Sequence, residues 1–184
     1  MPQFTLTVVT SADGYIARAP DDAPQSWASA EEQALFFAEV ENADWTVMGR
    51  RTHEAADKPD RRRIIFSSLG GKRGVWRRET QLWIDPTDLR PEALPDLVTH
   101  LYDFETVVIL GGTRVHDWFL HHGAVDRVHL TIEPLRFGQG LPIFSDQTTD
   151  DPEAVLTLAG FTRASDRVLN TQGTRYQVWE PTGT

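Results

Sequence analysis

Thr106-Val107-Val108-Ile109-Leu110 runs directly into Gly111-Gly112 and then into Thr113-Arg114-Val115-His116-Asp117-Trp118-Phe119-Leu120-His121. The first five residues are β-branched or apolar with no polar alternation, the pattern of a strand covered on both faces. From Arg114 to His121 the spacing turns helical, so a strand, a two-glycine turn and a helix follow without a linker. The glycines admit two readings. They satisfy a tight turn that needs positive φ, or they let backbone N–H groups approach an anion beside a helix N-terminus carrying about half a unit of positive charge. The spacing is not G-x-G-x-x-G, so a standard Rossmann unit is not supported.

Outward from this stretch the chain alternates strands and helices. Residues 4–9 read as a central strand, and residues 45–48, 63–66, 81–84 and 127–132 as further strands. Ser29-Ala30-Glu31-Glu32 is a capping-box pattern, which predicts a helix over 29–42. Pro91 opens a stripe of Leu94, Leu97, Val98 and Leu101 at helical period. Residues 167–170 and 175–179 flank Thr171-Gln172-Gly173 as a hairpin. The expectation is one α/β domain over residues 1–184, with three layers and a mostly parallel central sheet ending in an antiparallel hairpin. Ligands of such sheets sit beyond the carboxyl ends of the strands. Three segments fall there: residues 49–52, Ser67-Ser68 and residues 111–114. In Gly49-Arg50-Arg51-Thr52, Thr52 either caps a short helix or offers its hydroxyl to a phosphate, and an arginine is able to fork a phosphate.

The formal net charge of −9 hides an asymmetry. Residues 50–78 carry ten of the 18 Lys and Arg against three acids, a local +7 in a chain whose remainder is −16. That segment is either a solvated basic loop or the seat of an anionic ligand. Nucleic acid is not expected, because the acidic remainder would repel a polyanion. No run of residues is apolar and long enough to span a bilayer, and the first residues lack the basic and apolar regions of a signal peptide; a cytoplasmic location is the default expectation. With no Cys, thiolate chemistry and disulfides are excluded. His116, His121 and His122 share a helix without H-E-x-x-H or a paired acid, so no metal is expected. Trp45, Trp83, Phe104 and Phe119 read as core residues.

Five blocks in order resemble known reductases. Val47-Met48-Gly49-Arg50-Arg51-Thr52-His53-Glu54 resembles the M-G-R-x-T-x-E signature of dihydrofolate reductases. Residues 64–68 resemble the strand and serine pair that follow it, and residues 109–120 their G-G-G-R-V-Y-x-x-F-L segment. Ser11-Ala12-Asp13-Gly14-Tyr15-Ile16-Ala17 and residues 123–144 are similar to the reductase domain of bifunctional riboflavin-biosynthesis proteins. The resemblance implies a dihydrofolate-reductase-like fold and NADPH lying across the carboxyl edge of the sheet. Arg50, Ser67 and Ser68 would then meet the adenosine 2′-phosphate and adenine. Gly49, Thr52, Gly111, Gly112, Thr113 and Arg114 would border the pyrophosphate with Val115 beside it. Ala12, Asp13, Gly14, Tyr15 and Ile16 would form the loop over nicotinamide and substrate. A homodimer built partly by residues 123–144 is implied too.

On the substrate side the resemblance implies a carboxylate on the first helix, five residues after a Trp, and Trp27 and Glu32 have that spacing. Glu32 is equally the capping-box partner of Ser29. Asp13 is the alternative acid, or simply the first residue of an Asp-Gly turn. Phe36 either lines the substrate pocket or packs the helix onto the sheet. The riboflavin-type reductases carry Glu immediately before Gly-Gly where this chain has the substrate-facing Leu110, and the W-x-L-P-x-D stretch typical of pterin sites is absent. These readings leave three functions: an NADPH-dependent reductase of a small pterin- or pyrimidine-like heterocycle, a dihydrofolate reductase proper, or a non-catalytic dimeric nucleotide-binding protein.

Overall fold

A computed structural model describes residues 1–183. In chain order the elements are β1 (Gln3–Ser11), β2 (Tyr15–Ala17), α1 (Ala30–Asn42), β3 (Trp45–Gly49), α2 (Arg50–Ala55), β4 (Arg63–Phe66), β5 (Val75–Arg78), β6 (Gln81–Ile84), α3 (Leu94–Val98), β7 (Thr106–Gly111), α4 (Thr113–His121), β8 (Arg127–Glu133), β9 (Leu141–Pro142), α5 (Pro152–Leu158), β10 (Phe161–Val168) and β11 (Arg175–Pro181). Nine strands form one sheet in the order β10-β11-β8-β1-β7-β3-β4-β6-β5, and β2 pairs with β9. The six inner strands from β8 to β6 run parallel. Antiparallel strands close both sides, β11 and β10 on one and β5 on the other.

The apolar strand sequences bury two faces. Leu6, Val47, Ile64, Ile84, Ile109 and Leu130 lie on one of them, fully buried against Leu94 and Val98 of α3, Phe119 of α4 and Leu156 of α5. Each such side chain contributes about 1.5–3 kcal/mol by leaving water. Met48, Ile65 and Trp83 form a smaller cluster on the other face, with half-buried Leu110 against it. Two helices cover that second face. Glu39 of α1 accepts the Thr7 hydroxyl at 2.6 Å, and His53 of α2 packs edge-on against Trp83 at 5.4 Å between ring centroids. Trp45, Trp83, Phe104 and Phe119 are all core residues.

Several elements depart from their sequence signals. The 29–42 helix forms as α1 with Ser29 as its cap. Thr52, however, caps nothing: α2 starts at Arg50 with Gly49 as its N-cap. The stripe opened by Pro91 ends at Val98, because a 3-10 turn over Pro91–Ala93 uses its first residues, and Leu101 is exposed. β10 begins at Phe161, well before residue 167, and every later residue of it is exposed. A two-sided edge strand needs no hydrophobic alternation, so its sequence shows none. β5 is silent for the same reason. α5, capped by the Asp151 side chain and started by Pro152, carries only two buried aliphatic side chains, Val155 and Leu156.

Candidate cofactor and substrate site

The parallel registers bring the expected turn residues to one edge. Met48 pairs with Gly111, and Gly49 with Phe66, so the β7–α4 turn, the β3–α2 turn and Ser67 stand side by side. Gly111 has φ +92°, and its peptide bond to Gly112 is cis. Gly112 is the N-cap of α4 and supplies no side chain to that helix end. The first-turn amides of Thr113 and Arg114 therefore lack intrahelical acceptors. A Cβ built on Gly112 meets nothing within 4 Å, whereas one on Gly49 sits 3.5 Å from Val115 Cγ2. Open space over Gly112, uncapped amides and the exposed Arg50 and Arg114 fit the pyrophosphate of a dinucleotide.

Some of the expected hydroxyls already have partners. Thr113 donates its hydroxyl to the Pro142 carbonyl at 2.6 Å, so its amide rather than its side chain is the free donor. Ser67 accepts the Leu69 amide at 3.2 Å, which leaves its O–H to donate, and Ser68 is exposed. Thr52 lies half-buried in the first turn of α2.

The basic segment is not one patch. Arg50 and Arg51 follow the carboxyl end of β3, and Lys72 and Arg73 lie in the turn joining Gly71 to β5, whose Gly71 carbonyl accepts the amide of Asp85 just beyond β6. Arg61, Arg62 and Arg63 instead stand at the amino end of β4, with Arg78 paired beside Gln81 at the amino end of β6. Arg63 is buried and donates to His53 Nδ1 at 3.0 Å, Arg78 pairs with Asp57 at 2.7 Å, and Arg61 with Glu41 at 3.1 Å. About half of the local positive charge is thus structural and points away from the site. Sequence summation along a segment misses this, because consecutive residues cross the sheet from one end to the other.

The loop after β1 is pinned to the loop after β8. Ala12 donates its amide to the Leu135 carbonyl at 2.7 Å. Asp13, 3% exposed, accepts the amides of Phe137 at 3.0 Å and Gly138 at 2.7 Å. Burial pushes its carboxyl up, but the Ser11 hydroxyl and those amides outweigh it and hold Asp13 below the usual carboxylate range. Such a group is a poor proton donor. Tyr15 continues into the β2–β9 pair opposite Pro142 and packs on Gly140, where any Cβ would fall 2.2 Å from the Ala17 carbonyl oxygen.

Glu32 has the opposite character. It is 5% exposed on the first turn of α1, and burial, together with the nearby carboxylates of Glu133 and Glu39, pushes its pKa up to about 7. Trp27 is half-buried and packs edge-on against Phe137 at 5.1 Å. Phe36 is half-buried against the exposed Phe37 at 5.7 Å. Leu110 joins the Met48, Ile65 and Trp83 cluster, an apolar floor below the glycine turn.

Glu133 escaped the sequence reading, and His116 was read there only as a helix histidine without metal-binding company. Glu133, 3% exposed, ends β8 opposite Ser11, and only its place at a strand end signalled it. His116 is buried, with Nδ1 on the Ile143 carbonyl at 2.9 Å and Nε2 unpartnered. Burial pushes its pKa down to about 4, so the ring is neutral. His121 and His122 are exposed, and among the described residues no group of three His, Asp or Glu is arranged to hold a metal. Nor, among them, is any helix long and apolar enough to cross a membrane.

Three solved structures share the architecture. A riboflavin biosynthesis protein from Shewanella sp. PV-4 matches with a TM-score of 0.69 and 18% identity over 98% of this chain and 99% of that one. Dihydrofolate reductase from Enterococcus faecalis, complexed with NADP(H) and RAB-propyl, matches at 0.66 with 16% identity over 98% and 97%. A diaminohydroxyphosphoribosylaminopyrimidine deaminase/5-amino-6-(5-phosphoribosylamino)uracil reductase from Thermotoga maritima matches at 0.69 with 20% identity over 98% of this chain and 56% of that one. At these identities the likeness establishes the dihydrofolate-reductase-like fold. Comparison with curated proteins gives no significant match. The profile of the RibD C-terminal domain matches residues 2–169, and the chain therefore belongs to the RibD C-terminal domain family.

Proposed function

We propose that this protein is an NADPH-dependent reductase of a small heterocycle with a pterin- or pyrimidine-like ring. The observation that carries the reading is the shared edge: one register of parallel strands delivers Gly49, Ser67, Gly111 and Gly112 to the uncapped end of α4. Family membership and the fold support it. In this reading the amides of Thr113 and Arg114 and the guanidinium of Arg114 hold the pyrophosphate. Arg50, Ser67 and Ser68 take the 2′-phosphate and adenine ribose. NADPH, when bound, supplies a hydride to a C=N or C=O carbon. The chain then has to supply orientation, dryness and a proton. Orientation comes from the pinned loop of Ala12, Asp13 and Tyr15. Leu110, Met48, Ile65 and Trp83 exclude water beneath the ring. Glu32, with its pKa of about 7, carries a proton in about half the molecules at neutral pH and delivers it from its carboxyl to the heteroatom of the reduced bond. Asp13 keeps its loop in place and is not the acid.

Fluorescence titration with NADPH tests the cofactor half. We expect binding below millimolar concentration, weakened about tenfold or more by Arg50→Glu and unchanged by Arg61→Glu at the other end of the sheet. Absence of binding, or equal effects of the two reversals, overturns it. NADPH oxidation with dihydrofolate and with a ribosylaminopyrimidine then separates a general heterocycle reductase from a dihydrofolate reductase. Binding without turnover across such a panel would leave a nucleotide-binding protein. The resemblance to the riboflavin-type reductases supports a homodimer built partly by residues 123–144, which sedimentation velocity tests.

A further inference from the structure

The capping box at the start of α1 is half-formed, and the missing half is the informative one. Ser29 accepts the Glu32 amide through its hydroxyl at 3.3 Å. In a complete box the Glu32 carboxylate would accept the Ser29 amide in return. That amide donates instead to Glu133 Oε1 at 2.7 Å. Glu133 Oε2 accepts the Thr174 hydroxyl, also at 2.7 Å. Thr174 Oγ1 already accepts the Asn170 side-chain amide at 2.9 Å, so its own proton points to Glu133. Both oxygens of Glu133 are thus acceptors, the pattern of an ionised carboxylate. The hairpin between β10 and β11 belongs to the same network: Asn170 Oδ1 accepts the amides of Gly173 and Thr174, and its Nδ2 reaches Glu31 at 3.2 Å.

We propose that Glu133 is a positioning residue of the site: by taking the Ser29 amide it displaces Glu32 from its own helix cap, leaves the Glu32 carboxyl free for substrate, and sets a fixed negative charge beside it. The inference rests on the reading of Glu32 as proton donor. A carboxylate in the cap would be ionised by the amide and the helix end, and unable to donate. With Glu133 in the cap, the burden of negative charge falls on the partner that has no amide. Glu133 faces Glu32 from β8, and Glu39 from its own helix. Glu39 is in turn bonded by Thr7 of β1, His129 of β8 and Tyr176 of β11, and Glu31 points outward to Asn170. Among the described residues no Lys or Arg pairs with Glu32 or Glu133, so nothing cationic offsets the repulsion.

Carboxyl 13C NMR of glutamate-labelled protein, titrated between pH 4 and 9, reads this without any substrate. One resonance should titrate near neutrality and vanish in Glu32→Gln. In Glu133→Gln, which keeps an acceptor for the Ser29 amide but loses the charge, its midpoint should fall by about one pH unit or more. In Glu133→Asp, which keeps the charge on a shorter arm, the midpoint should stay high while the Ser29 amide exchanges faster, about tenfold or more. An unchanged midpoint in Glu133→Gln overturns the proposal; should that variant not fold, a midpoint in Glu133→Asp at the ordinary carboxylate value overturns it instead. Failure of the proton-donor reading looks different: Glu32→Gln would then turn over substrate normally while the titration coupling persisted.

Discussion

His116 stands directly behind Gly111, its Nε2 2.5 Å from the place a Cβ on Gly111 would occupy. The Gly111 φ of +92° lies where side chains are disfavoured even without that ring. Glycine at 111 is therefore demanded by the inside of the protein. Gly112, with φ −77° and empty space where its Cβ would be, is demanded by nothing inside. The tight-turn reading of Gly-Gly is met at Gly111, and the open space over Gly112 leaves room for the anion of the proposed function.

Alanine substitutions should separate them. Gly111→Ala is expected to lose about 2 kcal/mol or more of stability from backbone strain and the clash with a buried ring, read by urea unfolding. Gly112→Ala should unfold within about 0.5 kcal/mol of the parent yet bind NADPH about tenfold more weakly, because its methyl fills space the pyrophosphate needs. Equal stability losses would mean that both glycines serve the turn.

How much of this was legible follows from where each signal lives. Strands with continuous apolar runs, such as Thr106-Val107-Val108-Ile109-Leu110, declare a two-sided core on their own. Ser29 and Pro152 announce helix starts through local chemistry, although the second went unread beside so short a helix. Edge strands stay silent, since Thr162 to Val168 face water on both sides. The candidate site was legible as a strand-edge cluster where it lies on contiguous motifs. It was illegible where partners come from afar, as with Ser29 and Glu133, 104 residues apart, or Asp13 and Gly138, 125 apart. The charge of residues 50–78 misled because a sum along the chain ignores that β4 carries its arginines to the opposite end of the sheet.

Glu32 should give the protein a stability that falls as pH rises. Its pKa is lifted from 4.5 to about 7 in the fold, so the folded chain binds this proton more tightly than the unfolded one. The stabilisation is complete below pH 4.5 and is lost as pH climbs through about 7. The shift corresponds to about 3 kcal/mol at most. Glu32→Gln removes the titration, so its unfolding free energy should be flatter between pH 5 and 8, and higher than the parent's at pH 8. Parallel pH profiles for the two proteins would show that burial does not lift Glu32.

Asp13 carries the opposite sign. Its carboxyl is held below the ordinary aspartate value of 3.8, so its contribution is present above that pH and fades as the solution is made more acidic. Asp13→Ala strands two amides, Phe137 N–H and Gly138 N–H, each worth about 1–3 kcal/mol when left unsatisfied. Limited proteolysis should then cut within residues 134–140 under conditions that leave the parent whole, together with a lower midpoint of thermal unfolding. Protection equal to the parent's would mean that the Ala12–Leu135 bond holds the loop unaided.

Leu110 sits where the riboflavin-type resemblance calls for glutamate, and the structure gives a physical reason why that exchange is not neutral here. Its neighbours are the apolar side chains of Met48, Ile65 and Trp83, with the Arg77 guanidinium stacked on the Trp83 ring at 3.7 Å. A carboxylate against that floor would lose hydration that the unpartnered Trp83 Nε1–H and the Arg77 guanidinium on its ring replace only in part. Leu110→Glu should therefore cost about 2 kcal/mol at pH 8, and less at pH 5, where the new carboxyl is closer to neutral and its burial penalty smaller. Leu110→Met, similar in volume and apolar, should stay within about 1.5 kcal/mol of the parent at both pH values. Urea unfolding of the three proteins at the two pH values decides the matter. If Glu is tolerated as well as Met, the side chain at 110 faces open water rather than the apolar floor, and the dry pocket assigned to the substrate ring loses its base.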